Sequence, residues 1–207
     1  NSIFQIIFPI VLGYFFGCIQ TSYLIGKFKF GINVKSQGSK NAGASNGVML
    51  FGWKIGIFIG VIDMLKAYLP MLIIFSIYPD YPEVFFLASL AGGGAILGHI
   101  FPFFMNFNGG KGMACYLGIL FYFDFLFGLI VCFFASILLM ITNYVAVTTV
   151  IILIAVPLFL NFFYPHLSSN LILSMSVLSL IIIIKHRENI FKIFKGTETT
   201  FWSVFKK

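Results

Sequence analysis

Three short polar stretches hold most of the side chains in this sequence that are equipped for chemistry. Residues 38–46 read GSKNAGASN. Glycine tolerates the dihedrals that let several backbone N–H groups point at one anion. Here the hydroxyls of Ser39 and Ser45 and the amides of Asn41 and Asn46 add donors. Gly38, Lys40, Gly43 and Ala44 complete a loop with no carboxylate to repel a phosphate. No alternating strand pattern precedes it, so it is not a dinucleotide fingerprint. Taken alone, such a loop is also a common turn.

The second stretch is residues 98–114, GHIFPFFMNFNGGKGMA. His99 closes an apolar run, Pro102 turns the chain, and Gly109, Gly110, Lys111 and Gly112 lead into the next run. Lys111 is expected among exposed amides at a helix start, a place that favours anions. The first glycine of a Walker loop and the Ser or Thr after its Lys are both missing. The third stretch is residues 185–198, KHRENIFKIFKGTE. His186 and Asn189 stand three apart, on one face of a helix, with Glu198 downstream. The lysines around them read as juxtamembrane charge drawn to anionic headgroups.

The elements that must position these residues are apolar. The chain has 207 residues, of which 60% are hydrophobic and 9% charged, with a mean hydropathy of +1.03. A soluble domain of this size needs a polar shell that this composition cannot supply. The reading is an all-α polytopic membrane protein forming one domain over residues 1–207. A net charge of +7 then reflects cytoplasmic loops rather than nucleic-acid binding. The three cysteines, Cys18, Cys115 and Cys132, share no metal-ligand spacing and read as core residues.

Apolar runs place spans near residues 3–26, 55–78, 84–101, 113–123, 125–141, 144–163 and 168–184. The first has no preceding positive charge and no cleavage pattern, so it reads as a span rather than a signal peptide. Residues 27–54 hold Lys27, Lys29, Lys35, Lys40 and Lys54 without an acid. The tail holds Lys185, Arg187, Lys192, Lys195, Lys206 and Lys207 against Glu188 and Glu198. Both belong in the cytoplasm by charge bias, so an even number of crossings separates them. Breaking residues 113–141 at Asp124 gives that parity. The expectation is seven transmembrane helices, with the N-terminus outside and the C-terminus cytoplasmic. The turns YPDYPEV and FYPHLSS fall outside, and all three polar stretches fall on the cytoplasmic face. The span at 113–123 rises only about 16 Å, so it should start earlier, near Gly109, or be partly inserted.

Glycines four apart, at Gly13 and Gly17 and at Gly52, Gly56 and Gly60, suit close helix packing. Asp63 and Lys66 share a helix face inside the second span. Unpaired charge is costly there, so they are expected to pair toward the interior, as a structural ion pair or as part of a site.

With these motifs in hand, the sequence resembles the bacterial acyl-phosphate:glycerol-3-phosphate acyltransferases, the PlsY family, over nearly its whole length. The first stretch is similar to GSGNxGATN, the second to GHxFPxFxxFxGGKGVA, and the third to HxxNIxRLxxGxE. The resemblance implies a seven-helix membrane enzyme of the bacterial plasma membrane. It implies acyl transfer from acyl phosphate to the 1-hydroxyl of glycerol 3-phosphate, giving lysophosphatidic acid and phosphate without metal or cofactor. It places Ser39, Lys111, His186 and Asn189 in catalysis. Gly38, Lys40, Asn41, Gly43, Ala44, Asn46, His99, Gly109, Gly110, Gly112 and Glu198 fall on the substrate-binding motifs. The donor phosphate is expected in an amide nest over residues 39–43, near Lys111. His186 is a general base or positions the acceptor.

The chain departs from the family pattern at several positions. Lys40 replaces a motif glycine, Ser45 replaces threonine, and Lys192 replaces an arginine. Met49 stands where the family has arginine, after Gly47 in place of valine. Methionine cannot supply bidentate phosphate recognition. A second reading therefore stays open: a divergent paralogue that acylates another acceptor, or a non-catalytic lipid-phosphate-binding protein. A transporter would line several spans with polar residues, whereas here they cluster at one interface.

Overall fold

The computed structural model describes residues 2–164 and 167–205; His166, in the turn read as external, and the tail lysines Lys206 and Lys207 lie outside the described residues. Among these residues all regular structure is helical. The α-helices are α1 (Ser2–Gly17), α2 (Thr21–Lys29), α3 (Ala44–Phe51), α4 (Trp53–Ile77), α5 (Val84–Ile100), α6 (Met113–Phe123), α7 (Phe125–Thr142), α8 (Val145–Phe163) and α9 (Ser169–Phe194). Short 3-10 turns follow at Phe103–Met105 and Trp202–Phe205.

Six stretches among the described residues are long and apolar enough to cross a membrane: Ile3–Lys29, Trp53–Ile77, Val84–Met105, Phe125–Thr142, Val145–Phe163 and Ser169–Phe194. Large side chains such as Ile141 and Phe162 are about three-quarters exposed, which only a lipid solvent makes favourable. The chain is an integral membrane protein.

The helix α6 is shorter, with 11 residues starting at Met113 rather than at Gly109. It rises about 16 Å, against a hydrocarbon core of about 30 Å. The break at Asp124 is real and has a local cause. Its side chain accepts a 2.8 Å hydrogen bond from the Phe127 amide, capping α7. The last helix runs ten residues past the expected end at 184, carrying the third polar stretch on a continuous helix to Phe194.

The chain divides into two compact units, Asn1–Phe123 and Asp124–Lys207. In the first unit α5 is the core, with most of its residues buried. It packs against α1 and α4, and α4 also packs against α3 and α6. The α1–α5 contact is backbone on backbone. A Cβ at Gly13 or Gly17 would overlap the carbonyl of Ala91 or Ala95, and one at Gly98 would overlap that of Tyr14. Gly56 likewise meets Val48 of α3. Gly52 differs: it has open space around it and a φ of 84°, and serves as the corner between α3 and α4. The first span is not one helix, because it breaks over Cys18–Gln20 between α1 and α2.

In the second unit α8 packs against α7 and α9, burying Leu153, Val156, Met175 and Ile182. The α7–α8 corner is Asn143, at φ 61°. Its carbonyl and side-chain oxygens accept from the amides of Phe201 and Trp202 at 2.8 and 3.0 Å.

Candidate active site

The GSKNAGASN loop leaves α2, crosses the surface of the first unit and enters α3. Its organiser is Asn46, which is 1% exposed. The Asn46 Oδ1 accepts from the Ser39 amide at 2.8 Å, and its Nδ2 donates to the carbonyls of Val34 and Gln37 at 3.0 and 3.2 Å. An amide has two N–H donors, so both are spent inside the loop. Gly38 must be glycine: its φ is 59°, and a Cβ would overlap Asn46 Oδ1. Lys40 adopts the same left-handed backbone, with φ 57°. Lys40 thus takes a conformation that favours glycine and places an exposed cation on the turn.

The amides of Ser39, Lys40 and Gly43 all have partners inside the loop. They donate to Asn46 Oδ1, to the Gln37 carbonyl at 3.0 Å and to Asn41 Oδ1 at 3.0 Å. Asn46 is the strut that holds the loop. The donors that suit an anion are instead the leading N–H groups of α3, from Ala44 onward. Gly43 caps that helix without a side-chain hydrogen bond, and a first turn has no intrahelical partners for its N–H groups. Ser39, exposed, and Asn41, half-buried, flank it.

The second loop folds back onto the end of α5. The Gly109 amide donates to the Ile100 carbonyl at 3.0 Å, and the Gly110 amide to that of His99 at 2.9 Å. These amides satisfy helix-terminal carbonyls, so they too are turned away from any ligand. Asn106 and Phe107, both at positive φ, make the hairpin that allows this return. A Cβ at Gly109 would overlap the His99 carbonyl, and one at Gly110 would overlap His99 Nε2. Lys111, half-buried, follows directly, and Gly112 at φ 96° opens α6.

The structure brings these two loops together. Lys35 Nζ donates to Asn108 Oδ1 at 2.9 Å, and the rings of Tyr23 and Phe104 lie 6.4 Å apart. Beneath them is a buried polar cluster of Gln20, Thr21, Asp63, Lys66 and His99, each under 10% exposed. Gln20 Nε2 donates to the His99 carbonyl at 3.1 Å, and Thr21 Oγ1 to Asp63 Oδ1 at 3.1 Å. The expected Asp63–Lys66 pair forms at 2.9 Å. Gln20 and Thr21 were legible only as polar residues within an apolar run, in GCIQTS.

The third motif belongs to the second unit. His186 Nδ1 lies 2.9 Å from the Ile182 carbonyl. A carbonyl only accepts, so Nδ1 carries the hydrogen, and in the neutral ring Nε2 holds the lone pair. Asn189 Nδ2 donates to Glu198 Oε1 at 2.8 Å. Gly196, at φ 67°, turns the chain so that Glu198 returns to the helix. The amides of Gly196 and Thr197 then satisfy the carbonyls of Ile193 and Lys192 at 2.9 Å each.

A family model described as glycerol-3-phosphate acyltransferase matches residues 7–196. A glycerol-3-phosphate acyltransferase of Thermotoga petrophila is 37% identical over 192 residues, covering 93% of this chain and 94% of the relative. One of Fusobacterium nucleatum is 33% identical, covering 93% and 96%. The crystal structure of PlsY (YgiH), an integral membrane glycerol 3-phosphate acyltransferase, in its glycerol 3-phosphate form, superposes with a TM-score of 0.82 at 30% identity. That match covers 97% of this chain and 96% of the other. Two loops joined across the first unit, a His–Asn–Glu turn in the second, and a match to relatives over more than nine-tenths of the chain fit one conclusion: this chain belongs to the glycerol-3-phosphate acyltransferase family.

Proposed function

We propose that this membrane protein acylates the 1-hydroxyl of glycerol 3-phosphate with an acyl phosphate as donor, for phospholipid synthesis. The hydroxyl oxygen attacks the acyl carbonyl carbon, the bond from that carbon to the phosphate oxygen breaks, and phosphate leaves with the electron pair. The hydroxyl proton passes to a phosphate oxygen of the substrate. The products are lysophosphatidic acid and inorganic phosphate. The observation that carries this reading is the pairing of an uncapped α3 start with a lysine-bearing glycine loop, tied by Lys35 and Asn108. That pairing supplies N–H groups and cations for charge growing on the carbonyl oxygen and the leaving phosphate.

In this reading Ser39, Asn41, Gly43 and Ala44 border the phosphate, and Lys111 neutralises it. Gly38, Lys40, Asn46, Gly109, Gly110 and Gly112 shape the loops. His186 and Asn189 position the acceptor, with Glu198 holding Asn189. Both units work as one catalytic domain. The chain crosses the bacterial plasma membrane seven times, α6 included, with its N-terminus outside and its C-terminus and active site cytoplasmic. Support for that topology is the lysine bias of residues 27–54 and of the tail.

The test is to incubate purified protein with acyl phosphate and glycerol 3-phosphate and follow lysophosphatidic acid. Product formation is the expected result. Met49, half-buried on α3, favours the second reading, because it removes the cation the family places there. Turnover with another hydroxyl acceptor alone would replace the assigned substrate. Absence of any acyl transfer, even in Met49→Arg, would leave a lipid-phosphate-binding protein.

A further inference from the structure

Lys66 belongs to none of the three motif stretches, yet it touches His99 of the second. Its ammonium has three hydrogens, all donors, and each finds a partner from a different source. One goes to the Ile19 carbonyl at 2.8 Å, freed by the break between α1 and α2. One goes to Asp63 Oδ1 at 2.9 Å, one turn earlier on α4. The third goes to His99 Nδ1 at 2.7 Å. The lysine side chain is 2% exposed.

A buried ion pair alone accounts for Asp63 and Lys66 but leaves the third contact unexplained. Because an ammonium only donates, His99 Nδ1 must accept, and the ring hydrogen therefore sits on Nε2. Asp63 Oδ1 is 3.9 Å from Nδ1, too far to take a hydrogen bond from it. The Nε2 edge faces Gly110, where even a methyl group would overlap it. The His99 carbonyl meanwhile accepts from the Gly110 amide at 2.9 Å. His99 thus holds Gly110 with both its backbone and its ring, and Lys111 is the next residue. We propose that Lys66, braced by Asp63, is a positioning residue for acyl transfer: it locks the His99 imidazole in the Nε2–H form against Gly110 and so sets the stance of Lys111. This rests on the acyl-transfer reading of the site.

The test begins with the wild-type protein in detergent, labelled with ¹⁵N-histidine, where the two ring nitrogens report which carries hydrogen. The expected spectrum assigns His99, identified by its disappearance in His99→Gln, an unprotonated Nδ1 and a protonated Nε2. Removing Lys66 alone would strand Asp63, so the variant of choice is the doubly neutral Asp63→Asn/Lys66→Met. It is expected to lose that nitrogen signature and about 10–100-fold in kcat, while KM for acyl phosphate changes much less. A wild-type spectrum with a protonated Nδ1 overturns the proposal. So does a folded double variant with wild-type kcat; if that variant fails to fold, the wild-type spectrum decides. A wild-type protein that makes no lysophosphatidic acid sinks the acyl-transfer reading and the proposed role with it. A productive wild type with the wrong tautomer sinks the Lys66 role alone.

Discussion

Lys35 and Asn108 join the two glycine-bearing loops of the first unit through one hydrogen bond of 2.9 Å between residues 73 apart in sequence. The bond is exposed, so its contribution to stability is small, about 0.2–1 kcal/mol. Its value lies in fixing one loop against the other. Asn108→Ala is therefore expected to leave the thermal midpoint nearly unchanged while raising KM for acyl phosphate severalfold. Steady-state kinetics beside a melting curve separates the two. A variant with unaltered KM would show that the loops hold their places without the tie.

Asn46 supports the first loop from inside, through three hydrogen bonds to Ser39, Val34 and Gln37. Truncation to alanine removes the donor to the carbonyl of buried Val34, at about 1–3 kcal/mol, and releases Ser39 and Gln37 from the strut. The loop should then open locally before the helices do. Trypsin provides the readout, because Lys35 and Lys40 lie in the loop. Asn46→Ala is expected to be cut at both sites much faster than wild type. Equal cleavage rates would contradict the strut role.

Lys40 holds a left-handed backbone that costs a non-glycine residue about 1–2 kcal/mol and is exposed. Lys40→Gly is expected to raise the thermal stability of the protein by removing that strain. The same change takes a cation away from the loop, and KM for acyl phosphate should rise. If stability rises while KM stays constant or falls, Lys40 is a tolerated intrusion rather than a replacement for the arginine absent at Met49.

Much of the architecture was legible because it follows from composition and charge. Apolar runs located α4, α5, α7 and α8 within a few residues, but missed the ten-residue extension of α9 and the split of the first span into α1 and α2. The acid at Asp124 marked a genuine break, since a carboxylate at the start of α7 caps it better than it could ride inside one long helix. The motif loops were legible as polar, glycine-rich turns between apolar helices. Their internal wiring was not. Nothing in GSKNAGASN says that Asn46 faces inward to bind Ser39, or that the Gly109 and Gly110 amides turn back to α5, because those partners are set by tertiary packing. The break at Cys18–Gln20 escaped for a similar reason. No proline marks it, and it is stabilised by Lys66 reaching the Ile19 carbonyl from another helix. The pairing of Asp63 with Lys66 could be foreseen from their spacing, but its extension to His99 required the fold.

Lys111 and Gly110 offer the sharpest contrast between chemistry and shape. Lys111→Ala deletes a half-buried cation without adding atoms anywhere. The fold should persist, by circular dichroism and elution volume, while kcat falls by about 10²–10³, the scale of losing one stabiliser of developing charge. Gly110→Ala does the opposite. It keeps every charge but drives a methyl group into His99 Nε2, a ring pinned on its far side by Lys66. Overpacking of this kind costs about 1–3 kcal/mol, so this variant should melt earlier and lose activity together. Wild-type rates in Lys111→Ala would remove Lys111 from the phosphate site. Wild-type stability in Gly110→Ala would mean that the imidazole can swing aside, and that Lys66 does not hold it.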